Sequence, residues 1–340
     1  MRRFLEPASI AMAADGIPLL GCAAVARLGR SDLDVFGLCL GGNVFGWTAD
    51  EPQSFEVLDA YAAAGGNFID SSDSYSAFAP GNQGGESETV LGNWFASRGN
   101  RADVVLATKV GRKPDRQGLS RANIRAGVTE SLERLQTDYI DLYYAHADDS
   151  DTPLEDTLRA FDELVNEGKV KFIAASNYRA PRLAQALEIS DREGLARYVA
   201  LQPHYSLVER HHYEGELADL CVREGLACVP YWALARGFLT GKYRPGVQVD
   251  SPRAGAAGHY LEDPRAVAVL ETIDRVADAR GTTVPSVALA WVRAQPGVAA
   301  PIASARNPQQ LAEILPGATL ELSDDELREL SDVSAPVPTS

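Results

Sequence analysis

An aspartate, a tyrosine, a lysine and a histidine carry the most telling chemistry in this chain: Asp70 in NFIDSSDSYS, Tyr75 five positions on, Lys109 in VVLATKVG and His146 in IDLYYAHADD. A carboxylate, a phenol, an ammonium and an imidazole gathered at one point make a proton donor of tunable acidity, which is what reduction of a carbonyl needs. Each residue has a plainer explanation when taken singly: Asp70 as a cap, Tyr75 as a loop aromatic, Lys109 as a solvated strand end, His146 as a satisfied buried histidine. Four such coincidences explain the pattern less well than one site does.

Residues so far apart in sequence meet only if the fold returns them to one place. Short runs rich in β-branched and aromatic residues, at 35–40, 67–70, 104–109, 141–146, 170–176, 198–202, 227–231 and 298–303, alternate with segments of helical period. That alternation predicts parallel strands with helical crossovers, and eight strands suffice to close a barrel. Asp70, Lys109 and His146 end the second, third and fourth runs and Tyr75 follows the second, so a barrel sets all four at one mouth. The helices carry their own signals. Thr152, Pro153, Leu154 and Glu155 read as a capping box with proline first, and Leu154, Leu158, Phe161, Leu164 and Val165 then share a face before Gly168 supplies a left-handed stop. After Ser120, an apolar stripe of Ile124, Val128, Leu132 and Leu135 leaves Arg121, Arg125, Glu130 and Glu133 for solvent. Two irregular stretches, 75–86 and 244–264, follow strand ends on the face where barrels place their sites.

Composition removes several function classes. The 47 acidic against 32 basic side chains give a formal charge of −15, which repels phosphate backbones and anionic lipid, so neither nucleic acid nor membrane is an expected partner. No apolar run approaches the roughly 20 residues of a membrane span. Cys22, Cys39, Cys221 and Cys228 show neither CxxC spacing nor the density of a disulfide scaffold, so reduced thiols and a cytoplasmic location are expected. The start MRRFLEPASIAMAADG is basic but broken by Glu6, Pro7 and Asp15, unlike a signal peptide. Residues 1–25 read as an extension of unassigned role and 26–335 as one (β/α)8 TIM barrel domain. The string from Gly41 to Gly46 lacks dinucleotide-fold spacing, and Gly237 to Lys242 misses phosphate-loop spacing by one residue. No metal site is expected, because HExxH is absent and the adjacent pair His211 and His212 does not share a helical face.

From about Ala26 to about Leu330 the chain resembles an aldo-keto reductase. The resemblance rests on ARLGRSDLDVFGLCLGGNVFG, NFIDSSDSY, GGESETVLG, the strand ending in Lys109, HADDSDTPLEDTLRAFDELVNEGKVKFIAASNY, LQPHYSLVER, LARGFLTGKY and ASARNPQQLAE, in that order. It is nearer the bacterial sugar-reductase and channel β-subunit-like branches than the aldose-reductase type. The resemblance implies a single (β/α)8 barrel that binds a nicotinamide cofactor in extended form without a dinucleotide fold. It makes Tyr75 the general acid, with Lys109 favouring the phenolate, Asp70 holding the lysine, and His146 orienting the carbonyl oxygen.

By the same resemblance Ser176, Asn177 and Gln202 match positions that hold the nicotinamide carboxamide, and Tyr231 matches the aromatic stacked on the ring. Gly42 joins the cofactor set, Leu234, Gly237 and Lys242 lie in the segment that wraps the pyrophosphate, and Ser304, Arg306 and Gln310 match the adenosine end. A guanidinium at Arg306 suits a 2′-phosphate, so NADPH is expected over NADH. Trp232 replaces a small hydroxyl of the family and Ile314 an asparagine that meets the adenine, so a weaker cofactor grip is expected. The residues expected to line the substrate mouth are Phe45, Trp47, Phe78, Asp148, His204 and Tyr205, a mixture that suits a small carbonyl substrate, sugar-like or aryl. Two other readings stand beside carbonyl reduction: a barrel lyase with Lys109 as Schiff-base nucleophile, and a non-catalytic or slow redox-sensing module that binds NADPH.

Overall fold

The computed structural model describes residues 11–12, 18–19, 25–251 and 254–336. Eight parallel strands form one sheet: β1 Cys39–Gly41, β2 Phe68–Asp70, β3 Val105–Val110, β4 Ile140–Ala145, β5 Val170–Ser176, β6 Tyr198–Gln202, β7 Ala227–Cys228 and β8 Ile302–Ala303. They pair in the order β7-β6-β5-β4-β3-β2-β1-β8. The sheet closes between its two ends: Cys228 bridges Val298 in parallel, Ala299 N–H donates to Cys228 O at 2.9 Å and Ile302 N–H donates to Pro230 O at 2.9 Å. The (β/α)8 barrel expected from the strand rhythm is therefore the fold.

The first predicted run, 35–40, is two elements. Asp34–Phe36 leaves the barrel to pair antiparallel with Val25–Arg27, and only Cys39–Gly41 enters the parallel sheet. Asn67 accounts for the division. Its side-chain oxygen accepts from Phe36 N–H at 2.8 Å while its amide nitrogen donates to Asp34 O at 2.9 Å, so those peptide groups are spoken for before β1 begins. The hairpin lays Leu28, Leu33 and Val35 across one end of the barrel interior, against a cluster that includes Phe68, Leu142, Val199, Val229 and Ala300. This seals the end opposite the strand C-termini, and burial of each such side chain contributes about 1.5–3 kcal/mol.

Helices pack outside with their apolar faces inward. Arg121–Leu135 starts at Ser120, whose side chain accepts from Asn123 N–H, and it buries Ile124, Val128 and Leu135. Its arginines are not simply solvated, because Arg121 and Arg125 both pair with Glu163 on the next helix, Leu154–Asn166, and Arg125 also pairs with Glu167, the residue that caps its C-terminus. That second helix buries Leu154, Leu158, Phe161 and Leu164 as expected, but its cap differs from the sequence reading. Pro153 is the N-cap residue, and Thr152 donates its hydroxyl to Asp149 at 2.7 Å. Proline brings no side-chain acceptor, and Asp149 gathers the turn instead through Leu119 N–H and Asp151 N–H. The stretch 244–264 is not wholly irregular, since Ala254–Gly258 is helical.

Most of the expected extension, Cys22 included, lies outside the described residues; Ala11–Met12 pairs antiparallel with Pro18–Leu19. Cys39, Cys221 and Cys228 are buried free thiols. Among the described residues no helix is long and apolar enough to cross a membrane.

Candidate active site

The strand C-termini converge on a buried acid–base cluster. Asp70 ends β2, and Lys109, the penultimate residue of β3, stands beside it with its side chain 0 % exposed. The ammonium lies 2.7 Å from each carboxylate oxygen of Asp70, 2.8 Å from Ser71 O and 2.8 Å from Tyr75 OH. Tyr75 comes from the loop after β2 and donates its hydroxyl to Asp70 Oδ2 at 2.8 Å. Gln202, at the end of β6, donates its amide to Asp70 Oδ1 at 2.9 Å, so this carboxylate is held from three sides. His146 follows β4, its ring 6.3 Å from that of Tyr75 and nearly perpendicular to it, and its Nδ1 lies 3.2 Å from Ser72 Oγ. The four opening residues thus share one barrel mouth.

Their electrostatics follow from enclosure. Burial first, then the Asp70 carboxylate, pushes the Tyr75 phenol well above its ordinary value, opposite to the shift expected from Lys109 alone. The reason is geometric: the phenol proton points at Asp70, whose charge opposes a second negative charge beside it. Burial lowers Lys109, with Asp70 acting against that shift. His146 is held well below the usual imidazole range by burial and then by Lys109 and Arg112, so it is neutral at neutral pH.

From this cluster a cavity of about 700 Å³ runs toward β8, within the roughly 300–1,000 Å³ of ligand pockets. Asp70, Tyr75 and His146 line it, and so do Ser304, Arg306 and Gln310. Ser176, Asn177, Gln202, Tyr231, Leu234, Gly237 and Lys242 complete the wall. Tyr231 donates its hydroxyl to Asn177 Oδ1 at 2.8 Å, and Asn177 donates in turn to His146 O and Ser176 Oγ, each at 3.0 Å. Trp232, Ala235, Arg236 and Gly237 all have positive φ, a run of strained backbone of the kind kept at ligand clamps. Four cations line the cavity, Arg112, Arg236, Lys242 and Arg306, and none forms an ion pair among the described residues. In a protein of net charge −15, unpaired cations along one cavity wall mark a place for an anionic ligand.

Comparison with known proteins bears on the same constellation. The profile described as "Aldo/keto reductase family" matches residues 37–335. The chain belongs to the aldo/keto reductase family. It is 34 % identical over 336 residues to protein tas of Escherichia coli (strain K12), covering 90 % of this chain and 96 % of that protein. It is 33 % identical over 313 residues to norsolorinic acid reductase of Aspergillus flavus, covering 87 % of this chain and 76 % of the relative. A probable voltage-gated potassium channel subunit beta of Oryza sativa subsp. japonica is 32 % identical over 315 residues, with 88 % and 94 % covered. The family is one of oxidoreductases.

Several expected site residues lie elsewhere in this aldo/keto reductase. Gly42 is off the cavity wall, where Gly41 stands instead; Gly42 N–H donates to Asp70 O at 2.7 Å and an added Cβ would meet Ser87 Oγ at 2.7 Å. Of the six substrate-mouth residues, Trp47 and Phe78 line the cavity, their rings edge to face at 4.7 Å. Phe45 and Tyr205 are buried in the outer core, and Asp148 is paired with Arg182 at 2.9 Å. His204 lies behind the wall, stacked on Tyr231 at 5.5 Å. All five lie beyond the strand ends, where the regular alternation of side chains no longer holds, so residue type and position along the chain do not tell wall from core. Trp232 lines the cavity and carries the Arg236 guanidinium 3.8 Å above its ring, so a cation reaches the region where the family's hydroxyl is missing. Ile314 lines the cavity as well. Arg112 and Arg236 were not expected from the sequence: Arg112 opens a small hairpin, Arg112–Lys113 with Arg116–Gln117, and Arg236 lies in the short 3-10 segment Ala235–Thr240, and their lack of carboxylate partners is visible only in space.

Proposed function

We propose that this aldo/keto reductase reduces an aldehyde or ketone to the alcohol, with NADPH as reductant and Tyr75 as proton donor. The observation that carries the reading is the union, in one cavity, of a buried phenol–ammonium–carboxylate cluster with four unpaired cations. Arg236 and Lys242 suit a pyrophosphate and Arg306 a 2′-phosphate, while the Tyr231 ring and the polar edge of Ser176, Asn177 and Gln202 suit a nicotinamide and its carboxamide. The reduced nicotinamide supplies the hydride when bound. Tyr75 OH passes its proton to the carbonyl oxygen, and the Lys109 ammonium, 2.8 Å away, stabilises the phenolate left behind. His146 orients the substrate: with Nδ1 accepting from Ser72, its proton resides on Nε2 and is offered to the same carbonyl oxygen.

Trp47 and Phe78 form the apolar side of the mouth, suited to the face of an aryl or sugar ring, and Arg112 suits a polar or anionic group on the substrate. A Schiff-base role for Lys109 fits poorly, because its ammonium is fully buried, directed at oxygen throughout, and absent from the cavity wall. The channel β-subunit relative favours one second reading, an NADPH-binding sensor with slow turnover. Oxidation of NADPH followed at 340 nm with a panel of sugar, aryl and aliphatic carbonyls separates the two. Turnover with at least one class is expected; tight NADPH binding with no turnover across the panel would favour the sensor.

A further inference from the structure

Behind the aromatic wall of the cavity the fold assembles a second group of residues from the segment LQPHYSLVERHH. His204 follows β6, and the chain turns back through Ser206 and Glu209, which are bridged antiparallel, to bring His212 against it. The two imidazoles stack at 4.7 Å with 23° between their planes. His212 Nε2 lies 3.6 Å from Glu209 Oε2. One donor atom each from His204, Glu209 and His212 lies within 4.8 Å of the others, and among the described residues this is the group of three or more such donors close enough to hold a metal ion.

We propose that His204, Glu209 and His212 form a binding site for a divalent transition metal ion, with zinc the best match. His211 also packs on His212, at 3.8 Å between ring centroids, and its Nδ1 lies 3.7 Å from Glu209 Oε2, but the three donors that converge within 4.8 Å include His204, eight positions upstream, in its place. Two features go beyond proximity. Nε2 of His204 is buried with no hydrogen-bond partner, which is unfavourable for a polar atom unless something occupies it. Glu209 is already oriented, its Oε1 accepting from Tyr260 OH at 2.9 Å, which leaves Oε2 toward the histidines in the outer-sphere arrangement typical of metal carboxylates. Zinc bonds of about 2.0–2.1 Å put tetrahedral donors roughly 3.3–3.5 Å apart, so donors now within 4.8 Å of one another draw together and the stacked rings turn out of parallel until both lone pairs meet at the ion. Two imidazoles and one carboxylate leave a fourth position for water and select zinc or its neighbours over magnesium or calcium. The site is distinct from the catalytic cluster: His204 stacks on the outer face of Tyr231 and meets Trp232 edge on, and it does not line the cavity.

The test is calorimetric titration of the full chain, stripped with chelator and dialysed, with zinc chloride alone and with magnesium chloride alone. The expected result is one zinc per chain, no heat with magnesium, and affinity at least tenfold weaker in both His212→Gln and Glu209→Gln. His212 is 45 % exposed, so its replacement leaves the fold intact; an unchanged melting temperature of the zinc-free variant checks this. Cobalt in place of zinc should give the intense visible absorption of a four-coordinate site in the parent, lost in His212→Gln. Absence of zinc binding by the parent, or equal affinity in the parent and both variants, overturns the site. Neither readout depends on turnover, so the result stands apart from the proposed reductase activity.

Discussion

Tyr75 is a stronger proton holder than its neighbours in sequence suggest, and the pH dependence should reveal it. Burial and Asp70 both raise the phenol, and His146 is kept neutral by burial and by the nearby cations. Reduction at saturating cofactor should therefore be flat from about pH 6 to about pH 9; a limb near pH 6.5 in the kcat/KM profile would assign a titrating imidazole instead. Asp70 and Lys109 stabilise one another inside the barrel, so Asp70→Asn, which leaves the ammonium buried without its counter-charge, should cost about 3–5 kcal/mol by denaturant unfolding. The double variant with Lys109→Met should recover part of that loss. Asp73 gives a second electrostatic prediction. Burial, then Glu88, raises its carboxyl to about 7, and its Oδ2 is buried without a hydrogen-bond partner. The folded state thus holds a proton that the unfolded state, near 3.9, has released, so stability falls as pH rises from about 4 to about 7 and levels off above. Asp73→Asn should remove this slope and stabilise the protein at pH 8 by about 1–3 kcal/mol, measured by melting at both ends of the range. The four catalytic candidates were legible because each follows a recognisable strand. The sense of the phenol's shift was not, because it depends on which oxygen the proton faces.

The strand and helix rhythm was legible where periodicity is uninterrupted, as in the stripe from Leu154 to Leu164 that the structure buries. It failed where one apolar run serves two purposes. Residues 35–40 look like a single strand, yet Asn67 draws Asp34–Phe36 into a hairpin that floors the barrel. Gly29 lets the hairpin sit there. Its φ is +57°, and a Cβ would lie 2.2 Å from Val199 O, nearer than any side chain tolerates. Gly29→Ala should lift the hairpin and destabilise the protein by about 1–3 kcal/mol, with faster hydrogen exchange in 25–36 before the parallel strands are affected. The capping-box reading failed for a related reason: Asp149 organises the turn before Leu154 from outside the motif, taking Thr152 for itself.

For the whole molecule, the total charge of −15 and the local charge of the cavity have opposite sign. Net charge, read from composition, argues against nucleic acid as a partner and is silent about the cavity, because Arg112, the Arg236–Lys242 segment and Arg306 come from three places in the chain that only the closed barrel gathers. A charge-assisted contact of about 1.5–3 kcal/mol means that Arg306→Ala should weaken NADPH binding about 10–100-fold while leaving NADH within a factor of about 3, in fluorescence titrations run side by side. Equal losses for the two cofactors would move the 2′-phosphate away from Arg306. Cavity membership was least legible at the mouth. Trp47 and Phe78 line it while Phe45 and Tyr205 face the core, a division set by side-chain direction rather than residue type.

The central claim is that Tyr75 delivers the proton while other groups hold the cofactor. Single-turnover oxidation of prebound NADPH by a carbonyl substrate, compared between the parent and Tyr75→Phe with cofactor dissociation constants measured on the same preparations, tests it most directly. In Tyr75→Phe the chemical rate should fall by about 10²–10⁴-fold with NADPH affinity changed less than about threefold. A variant that oxidises NADPH at the parent's rate would contradict it.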